Sequence, residues 1–183
     1  IEAERLQKLT DDLLQLSEFE SARPEADAPP VLLGEIAEKV AASLRPEAQA
    51  RGIVLHQFMG DVKVKADPRR IYQLLKNLME NAVKYNREGG AVNVSATLER
   101  GVAVIRVHDT GIGIPAEHLD RVFERFYRVD KGRSREQGGT GLGLSIVKHI
   151  VGLYGGDVRA DSAPGVGTTF TVRPPASVEE NGG

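Results

Sequence analysis

The stretch NLMENAVKYN, Asn77 to Asn86, is the most informative part of this 183-residue chain for predicting its fold. It lies within a longer segment, beginning near Asp67, in which apolar residues recur every three or four positions. The apolar residues are Leu74, Leu75, Leu78, Met79, Ala82 and Val83. This spacing predicts an amphipathic helix. Asp67 and Pro68 are the residue types expected at the cap and at the first helical position.

The other face of this helix carries a polar strip. Asn77 and Asn81 lie four residues apart, and Lys84 and Tyr85 follow one turn later. Because residues three and four apart are neighbours on a helix, the two amides, the ammonium and the phenol converge. The amide oxygens can hold a cation and the lysine a phosphate. The alternative is an ordinary solvated helix face.

Composition excludes several classes of function. The chain is 40% hydrophobic and 27% charged, with a formal net charge of -2, as in a soluble globular protein. It lacks a long basic run, so we expect no nucleic-acid partner. The absence of cysteine excludes disulfides and thiolate chemistry. No apolar run approaches the roughly 18 residues of a membrane span. Since the sequence opens at Ile1, we expect a piece of a longer protein.

The segments before the central helix suggest a domain boundary. Leu6, Leu9, Leu13 and Leu16 have the spacing of a coiled-coil seam, so residues 1–21 are predicted to form a helix that needs a partner. That partner is another helix of the protein or a second copy, and the alternative is packing on the following domain. Residues 22–30 are proline-rich and are predicted to be a linker. We expect the main domain at residues 31–174 and a flexible tail at 175–183.

The main domain mixes helices and strands. Further helices are expected over Val31–Ala50, Leu119–Tyr127 and Leu142–Tyr154. Strands are expected over Ile53–Phe58, Val62–Lys65, Val92–Leu98, Val102–His108, Val158–Ala160 and Thr168–Val172. Because the strands pair as hairpins, the pattern favours an α+β fold with one largely antiparallel sheet.

Two glycine clusters follow the asparagine helix. DTGIGI, Asp109 to Ile114, follows a strand, and GGTGLGL, Gly138 to Leu144, precedes a helix. Glycine allows a ligand to approach the backbone closely, and a helix amino terminus favours phosphate. A carboxylate such as Asp109 can accept a hydrogen bond from an exocyclic amine. The clusters fit neither a Walker loop nor a dinucleotide fingerprint. The polar segment Arg128–Thr140 between them is predicted to be a mobile loop.

From about Val31 to Pro174 the chain resembles the catalytic, ATP-binding domain of bacterial sensor histidine kinases. That superfamily also contains the ATPase domains of DNA gyrase, a heat-shock chaperone and a mismatch-repair protein. The matching motifs, in family order, are the N box NLMENAVKY, the glycine box DTGIGI, the F box FERF (Phe123–Phe126), the glycine box GTGLGL and a third glycine element GVGTTF (Gly165–Phe170).

This resemblance implies a fold and two cofactors. The expected fold is a two-layer α/β sandwich, with helices on one face of a mixed, largely antiparallel sheet, preceded by the coiled-coil-like helix. The implied cofactors are ATP and Mg²⁺. Asn81 is implied as the metal ligand, Asp109 as the partner of the adenine amine, and Arg128 as a contact of the γ-phosphate. Asn77 would support the phosphates and the metal.

The remaining nucleotide-binding residues are carried over in the same way. Lys84 and Tyr85 would contact phosphate and the edge of the nucleotide, and Gly111, Gly113 and Ile114 would shape the adenine pocket. The rest of the implied set is Gly139, Thr140, Gly141, Leu142, Gly143, Leu144 and Thr168, of which Thr140 to Leu144 would wrap the phosphates. The loop from Arg128 to Gly139 would be the ATP lid.

One position distinguishes branches of the superfamily. Its ATP-hydrolysing members resemble one another in carrying, at the position of Asn77, a glutamate that activates water. An amide cannot take that proton at neutral pH, so transfer is favoured over hydrolysis. Asn77 and Arg128 are therefore the expected catalytic residues.

The phosphate acceptor is expected on a helix absent from this chain. Residues 1–21 resemble the second helix of the family's dimerisation and phosphoacceptor hairpin. None of the four histidines, His56, His108, His118 and His149, lies in the sequence context of the acceptor box.

The implied function is a protein-histidine kinase that passes phosphate to a response-regulator aspartate. The implied partners are the acceptor hairpin, a second copy in a homodimer and the receiver domain of the response regulator. The domain would be cytoplasmic, with any membrane anchor upstream. The alternatives are a nucleotide-binding regulatory module without transfer and an anti-sigma-type serine kinase.

Overall fold

Four α-helices and seven strands form the part of the chain that the computed structural model describes, residues 2–23, 27–129 and 139–174. The helices are α1 (Glu2–Ser21), α2 (Leu33–Ala50), α3 (Pro68–Lys84) and α4 (Gly143–Leu153), with a short 3-10 helix at Ala116–His118. The strands are β1 (Pro30–Leu32), β2 (Val54–Phe58), β3 (Lys63–Lys65), β4 (Ala91–Glu99), β5 (Val102–Asp109), β6 (Asp157–Ala163) and β7 (Gly167–Arg173). The predicted tail and most of the predicted lid lie outside the described residues.

Five strands form the main sheet in the order β2-β4-β5-β7-β6. Only β2 and β4 run parallel, and the other neighbours are antiparallel, so the predicted mixed, largely antiparallel sheet is confirmed. The β4–β5 hairpin is also confirmed. The expectation of a single sheet was wrong, because β1 and β3 pair with each other as a separate antiparallel ribbon. Because Val31 and Leu32 belong to β1, α2 begins at Leu33 and not at the predicted Val31.

The core lies between the main sheet and the helix layer. Buried side chains from alternate sheet positions pack with the apolar faces of α2, α3 and α4. From the sheet these include Val92, Val94, Ile105, Val107, Phe170 and Val172. The predicted two-layer α/β sandwich is therefore confirmed.

Helix α3 begins as its sequence predicts. The Asp67 side chain caps it by accepting a hydrogen bond from the Arg69 backbone N–H at 2.9 Å, and Pro68 occupies the first turn. Leu74, Leu75 and Leu78 are fully buried, which leaves the polar strip on the opposite side of the helix at the edge of the layer.

Helix α1 packs on the main domain of the same chain, as in the alternative interpretation of the leucine seam. Leu16 is only 4% exposed and belongs to the core, and Leu9 packs against it. Leu6 and Leu13 remain 60% and 43% exposed. One half of the seam is thus covered by the domain and the other half faces outward. No helix in the described ranges is long and apolar enough to cross a membrane.

The helix expected over Leu119–Tyr127 is not formed. The 3-10 helix Ala116–His118 is followed by turns. Phe126 has a positive φ of 61°, which a right-handed helix does not allow, and its backbone N–H donates to the Gly141 carbonyl at 2.9 Å. This contact ties the F-box segment to the second glycine cluster.

Candidate functional site

The polar strip of α3 forms one wall of the candidate site. Asn77 is buried, whereas Asn81, Lys84 and Tyr85 are partly exposed farther along the same strip. All four lie on α3 or at its C-cap, at the spacing from which their convergence is predicted.

Arg51 fixes the end of this helix, a contact that the sequence did not suggest. Its guanidinium donates to the carbonyls of Val83 at 2.6 Å, Lys84 at 3.1 Å and Asn86 at 2.6 Å. A cation at the carboxyl end of a helix satisfies carbonyls that lack a helical partner and interacts favourably with the helix dipole. Arg51 thus holds the backbone from which the Lys84 and Tyr85 side chains project.

Asp109 and the first glycine cluster lie against the end of α3. The Asp109 Oδ1 atom accepts a hydrogen bond from the Gly111 backbone N–H at 2.8 Å, and the Ile112 N–H donates to the Tyr85 carbonyl at 3.1 Å. A Cβ on Gly111 would lie 2.3 Å from that carbonyl oxygen, so only glycine fits this close approach.

The Asp109 carboxyl is buried and has hydrogen-bond partners. Burial raises its pKa above the ordinary value, while backbone N–H groups of Gly111 and Thr168 hydrogen-bond the charged form and oppose that rise. A buried carboxylate held by backbone donors is a fixed hydrogen-bond acceptor. We call this region, with Gly113, Ile114 and Thr168, the base end of the site, because the family resemblance implies that it holds the nucleobase adenine.

The other predicted members of the base end are also close. Ile114 donates its backbone N–H to the Ser162 hydroxyl at 2.8 Å, and that hydroxyl lies 2.8 Å from the Thr168 hydroxyl. A Cβ on Gly113 would lie 2.1 Å from the Ala163 carbonyl, so the first glycine cluster packs directly on the β6–β7 turn.

Three basic or phenolic groups meet at Gly139. A Cβ placed on Gly139 would lie 2.5 Å from Lys84 Nζ, 3.5 Å from Tyr85 Oη and 3.6 Å from Arg128 Nη2. Residues from the N box, the F-box end and the second glycine cluster are therefore brought together. We call this region, with Asn77, Asn81 and the start of α4, the phosphate end.

The phosphate end contains hydrogen-bond donors without partners. Asn77 Nδ2, Arg128 Nε and Arg128 Nη2 are buried and make no hydrogen bond with any described part of the chain. Burial and the charges of Lys8 and Arg128 lower the pKa of Lys84 to about 8. Buried unpaired donors and mutually repelling cations are costly unless an anion completes the site.

The second glycine cluster shapes the approach to α4. Gly141 has a φ of 76°, and a Cβ there would lie 2.9 Å from the Phe126 backbone, so glycine is required. A Cβ on Gly143 would lie 3.3 Å from Asn77 Oδ1, which puts the start of α4 beside the asparagine helix. Leu142 is fully buried, so any ligand contact from it is through the backbone, and the partly buried Leu144 packs against the core.

Helix α1 also reaches the phosphate end. The Thr140 hydroxyl donates to the Asp12 Oδ2 atom at 2.6 Å, and Lys8 pairs with Glu80 of α3 at 3.2 Å. Asp12 is buried, and this burial raises its pKa. The contact joins residues 128 positions apart, so no local sequence signal could have found it.

The chain is similar to known proteins over most of its length. Residues 66–178 match the family described as histidine kinase-, DNA gyrase B-, and HSP90-like ATPase. Among curated relatives, sensor histidine kinase WalK of Bacillus subtilis is 39% identical over 182 residues, covering 98% of this chain and 30% of the relative. Sensor histidine kinase YkoH of the same species is 41% identical over 182 residues, covering 100% of this chain and 38% of the relative. The chain thus spans about a third of the curated relatives' length.

Among solved structures, full-length ShkA in complex with AMPPNP superposes with a TM-score of 0.80 and 30% sequence identity, covering 94% of this chain and 36% of that one. The similarity covers α1 as well as the main domain. The chain therefore belongs to the histidine kinase-, DNA gyrase B- and HSP90-like ATPase family, and over almost its whole length it is similar to sensor histidine kinases.

Proposed function

We propose that this chain transfers the γ-phosphoryl group of Mg-ATP to a histidine on a dimerisation hairpin, for relay to a response-regulator aspartate. The observation that carries the proposal is the set of buried donors on Asn77 and Arg128 that have no hydrogen-bond partner among the described residues, together with Lys84, whose ammonium lies near Arg128 at Gly139. These groups suit a polyanion, and Asp109 at the other end suits the amine of adenine. A triphosphate joined to adenine matches both ends.

The proposed contacts follow this division. Asp109 accepts a hydrogen bond from the adenine amine, and Gly111, Gly113, Ile114 and Thr168 bound the base. Lys84 and Arg128 neutralise phosphate charge, with Arg128 directed to the γ-phosphate.

The other proposed nucleotide contacts come from α3 and from the start of α4. Asn77 donates its Nδ2 hydrogens to phosphate, and Tyr85 contacts the edge of the nucleotide. The remaining phosphate contacts come from the segment Gly139–Leu144 that precedes and opens α4.

Magnesium fits the oxygen donors of this strip. Asn81 would hold the ion through its amide oxygen, a ligand type that magnesium accepts, and Asn77 would support it. When bound, the ion supplies positive charge that offsets the phosphate oxygens. Asn81→Ala should abolish magnesium-dependent nucleotide binding without unfolding the chain, and an unchanged Mg-ATP affinity would refute the metal assignment.

The proposed reaction is a simple displacement. A neutral imidazole nitrogen of the acceptor attacks the γ-phosphorus, the bond to the β–γ bridging oxygen breaks, and ADP leaves with that electron pair. The protein contributes position and charge neutralisation, which dominate phosphoryl transfer. Asn77 offers an amide rather than a carboxylate, so it does not activate water as a base.

A separately made hairpin that carries the acceptor histidine tests this proposal. The chain is incubated with the hairpin and γ-labelled Mg-ATP, and a hairpin with the histidine replaced by glutamine is the matched control. We expect acid-labile, base-stable label on the hairpin and none on the control. Acid-stable label would indicate a serine kinase. Tight ATP binding without label would leave only the nucleotide-binding module.

A further inference from the structure

Ser162 completes a row of three polar side chains at the base end. Asp109 on β5 is the register partner of Thr168 on β7, and Thr168 is the register partner of Ser162 on β6. All three lie on the sheet face that carries Val107 and Phe170 in the core. The row is therefore the polar end of an otherwise apolar layer, directly below the first glycine cluster.

The hydrogen bonds of Ser162 determine the direction of its bond to Thr168. The Ser162 hydroxyl lies 2.8 Å from the Ile114 backbone N–H, from the Gly167 carbonyl oxygen and from the Thr168 hydroxyl. A hydroxyl has one hydrogen and two acceptor positions. A carbonyl can only accept, so Ser162 gives its hydrogen to Gly167 and accepts from Ile114 and Thr168. The Thr168 hydroxyl hydrogen is therefore committed to Ser162.

This commitment leaves Thr168 with only lone pairs for another neighbour. The adjacent Asp109 carboxylate, which accepts from the Gly111 and Thr168 backbone N–H groups, also offers only acceptor positions. The wall formed by Asp109 and Thr168 thus consists of acceptors.

We infer that Ser162 is a specificity-determining residue, because it holds the Thr168 hydroxyl as an acceptor and so favours a purine with an amino group at C6 over one with an oxygen there. The inference rests on the nucleotide site proposed above. Adenine presents two N–H donors at C6, whereas hypoxanthine presents an acceptor that would face two more acceptors. Sites built to hydrogen-bond one group discriminate strongly against its polar mismatch.

The test compares the affinities of the folded chain for ATP and ITP by isothermal titration calorimetry with Mg²⁺. In Ser162→Ala the Thr168 hydroxyl is free to rotate and donate to the C6 oxygen of ITP. We expect the ATP-to-ITP affinity ratio to fall about tenfold. Thr168→Val should lower the ratio similarly, and the double variant should show no further loss because both changes remove one interaction.

Thr169→Val is the matched control. Thr169 lies on the same strand but the opposite face, where its hydroxyl contacts His108 Nδ1 at 2.9 Å, so the ratio should not change. If Ser162→Ala does not fold, Ser162→Cys keeps the shape of the side chain, with a somewhat larger atom, and replaces the oxygen with a weak acceptor.

The outcomes separate the two levels of the hypothesis. An unchanged ratio in folded Ser162→Ala, with a lowered ratio in Thr168→Val, overturns the role of Ser162 and leaves the nucleotide site standing. A wild-type chain that does not bind ATP overturns the proposed function itself. A wild-type chain that binds ATP and ITP equally overturns the selectivity.

Discussion

The two ends of the site differ in how far folding has satisfied their polar groups. At the base end, Asp109, Thr168 and Ser162 hydrogen-bond one another's backbone or side chains. At the phosphate end, Asn77 and Arg128 keep buried donors without partners in the described part of the chain. The base end is therefore prebuilt, whereas the phosphate end is the part that the proposed anion would complete.

This difference has an energetic meaning. Buried donors without partners and neighbouring cations raise the free energy of the folded chain, so binding an anion relieves a cost that folding leaves in place. Preformed base contacts instead lower the ordering cost of binding. The base end should thus control affinity for any adenine compound. The phosphate end should control only the additional affinity that the phosphate groups of a nucleotide contribute.

Among the changes that compare the two ends, the largest expected effect comes from Asp109→Asn. The carboxylate accepts from two backbone N–H groups, whereas an amide has one acceptor oxygen and turns donors toward one of those groups. Affinity for both adenosine and ATP should fall about a hundredfold, as measured by calorimetry. Asp161→Asn, an exposed carboxylate on β6, is the control and should bind normally. A loss confined to ATP would contradict the division into two ends.

The next effect comes from the cations of the phosphate end. Arg128→Ala should weaken ATP binding about tenfold, since it removes a charged donor to the γ-phosphate, and should leave adenosine affinity unchanged. Because Arg128 repels Lys84, the variant should unfold at the same or a higher temperature. Arg125→Ala, an exposed neighbour, is the control. An equal loss of adenosine affinity would show that Arg128 does not act at the phosphate end.

Lys84 should make binding depend on pH. Its pKa in the free chain is about 8, and a bound phosphate raises the pKa of a nearby ammonium. ATP affinity should thus be full below pH about 8 and should fall as pH rises above it, with proton uptake on binding in that range. Adenosine affinity should stay flat, and Lys84→Met should remove the dependence for ATP. A flat ATP profile in the wild-type chain would show that Lys84 does not contact phosphate.

The smallest expected effect concerns α1. Asp12 places a carboxylate on Thr140 at the phosphate end, so its removal should free that hydroxyl and reduce repulsion of phosphate. Asp12→Ala should raise ATP affinity by roughly threefold, which is within the range of the net contribution of a single hydrogen bond. Asp11→Ala, the exposed neighbour, should change nothing. A weaker ATP affinity in Asp12→Ala would mean that α1 supports the site.

The sequence predicted the elements better than their contacts. Periodicity and caps located α3 and its polar strip, because a helix brings residues three and four apart together by local geometry. The row Asp109–Thr168–Ser162 depends on strand register, which the hydrophobic alternation of β5 and β7 allows but does not specify. Ser162 becomes predictable only once the β6–β7 turn sets that register.

Two contacts had no sequence signal. Arg51 follows α2 yet caps α3, and Asp12 belongs to α1 yet holds Thr140. Both join segments that are distant in the chain, and exposed arginines and aspartates occur on almost any helix. The absent helix at Leu119–Tyr127 belongs with these, since Phe126 has a positive φ and its N–H bonds to the distant Gly141 carbonyl rather than within a helix.

Titration of the wild-type chain with adenosine, ADP and ATP, each with and without Mg²⁺, tests the two-ended site most directly. We expect adenosine to bind weakly and independently of magnesium, and each added phosphate to raise the affinity, with ATP at least about tenfold tighter than adenosine when Mg²⁺ is present. Equal affinities for adenosine and Mg-ATP would contradict a phosphate end built from the buried donors of Asn77 and Arg128.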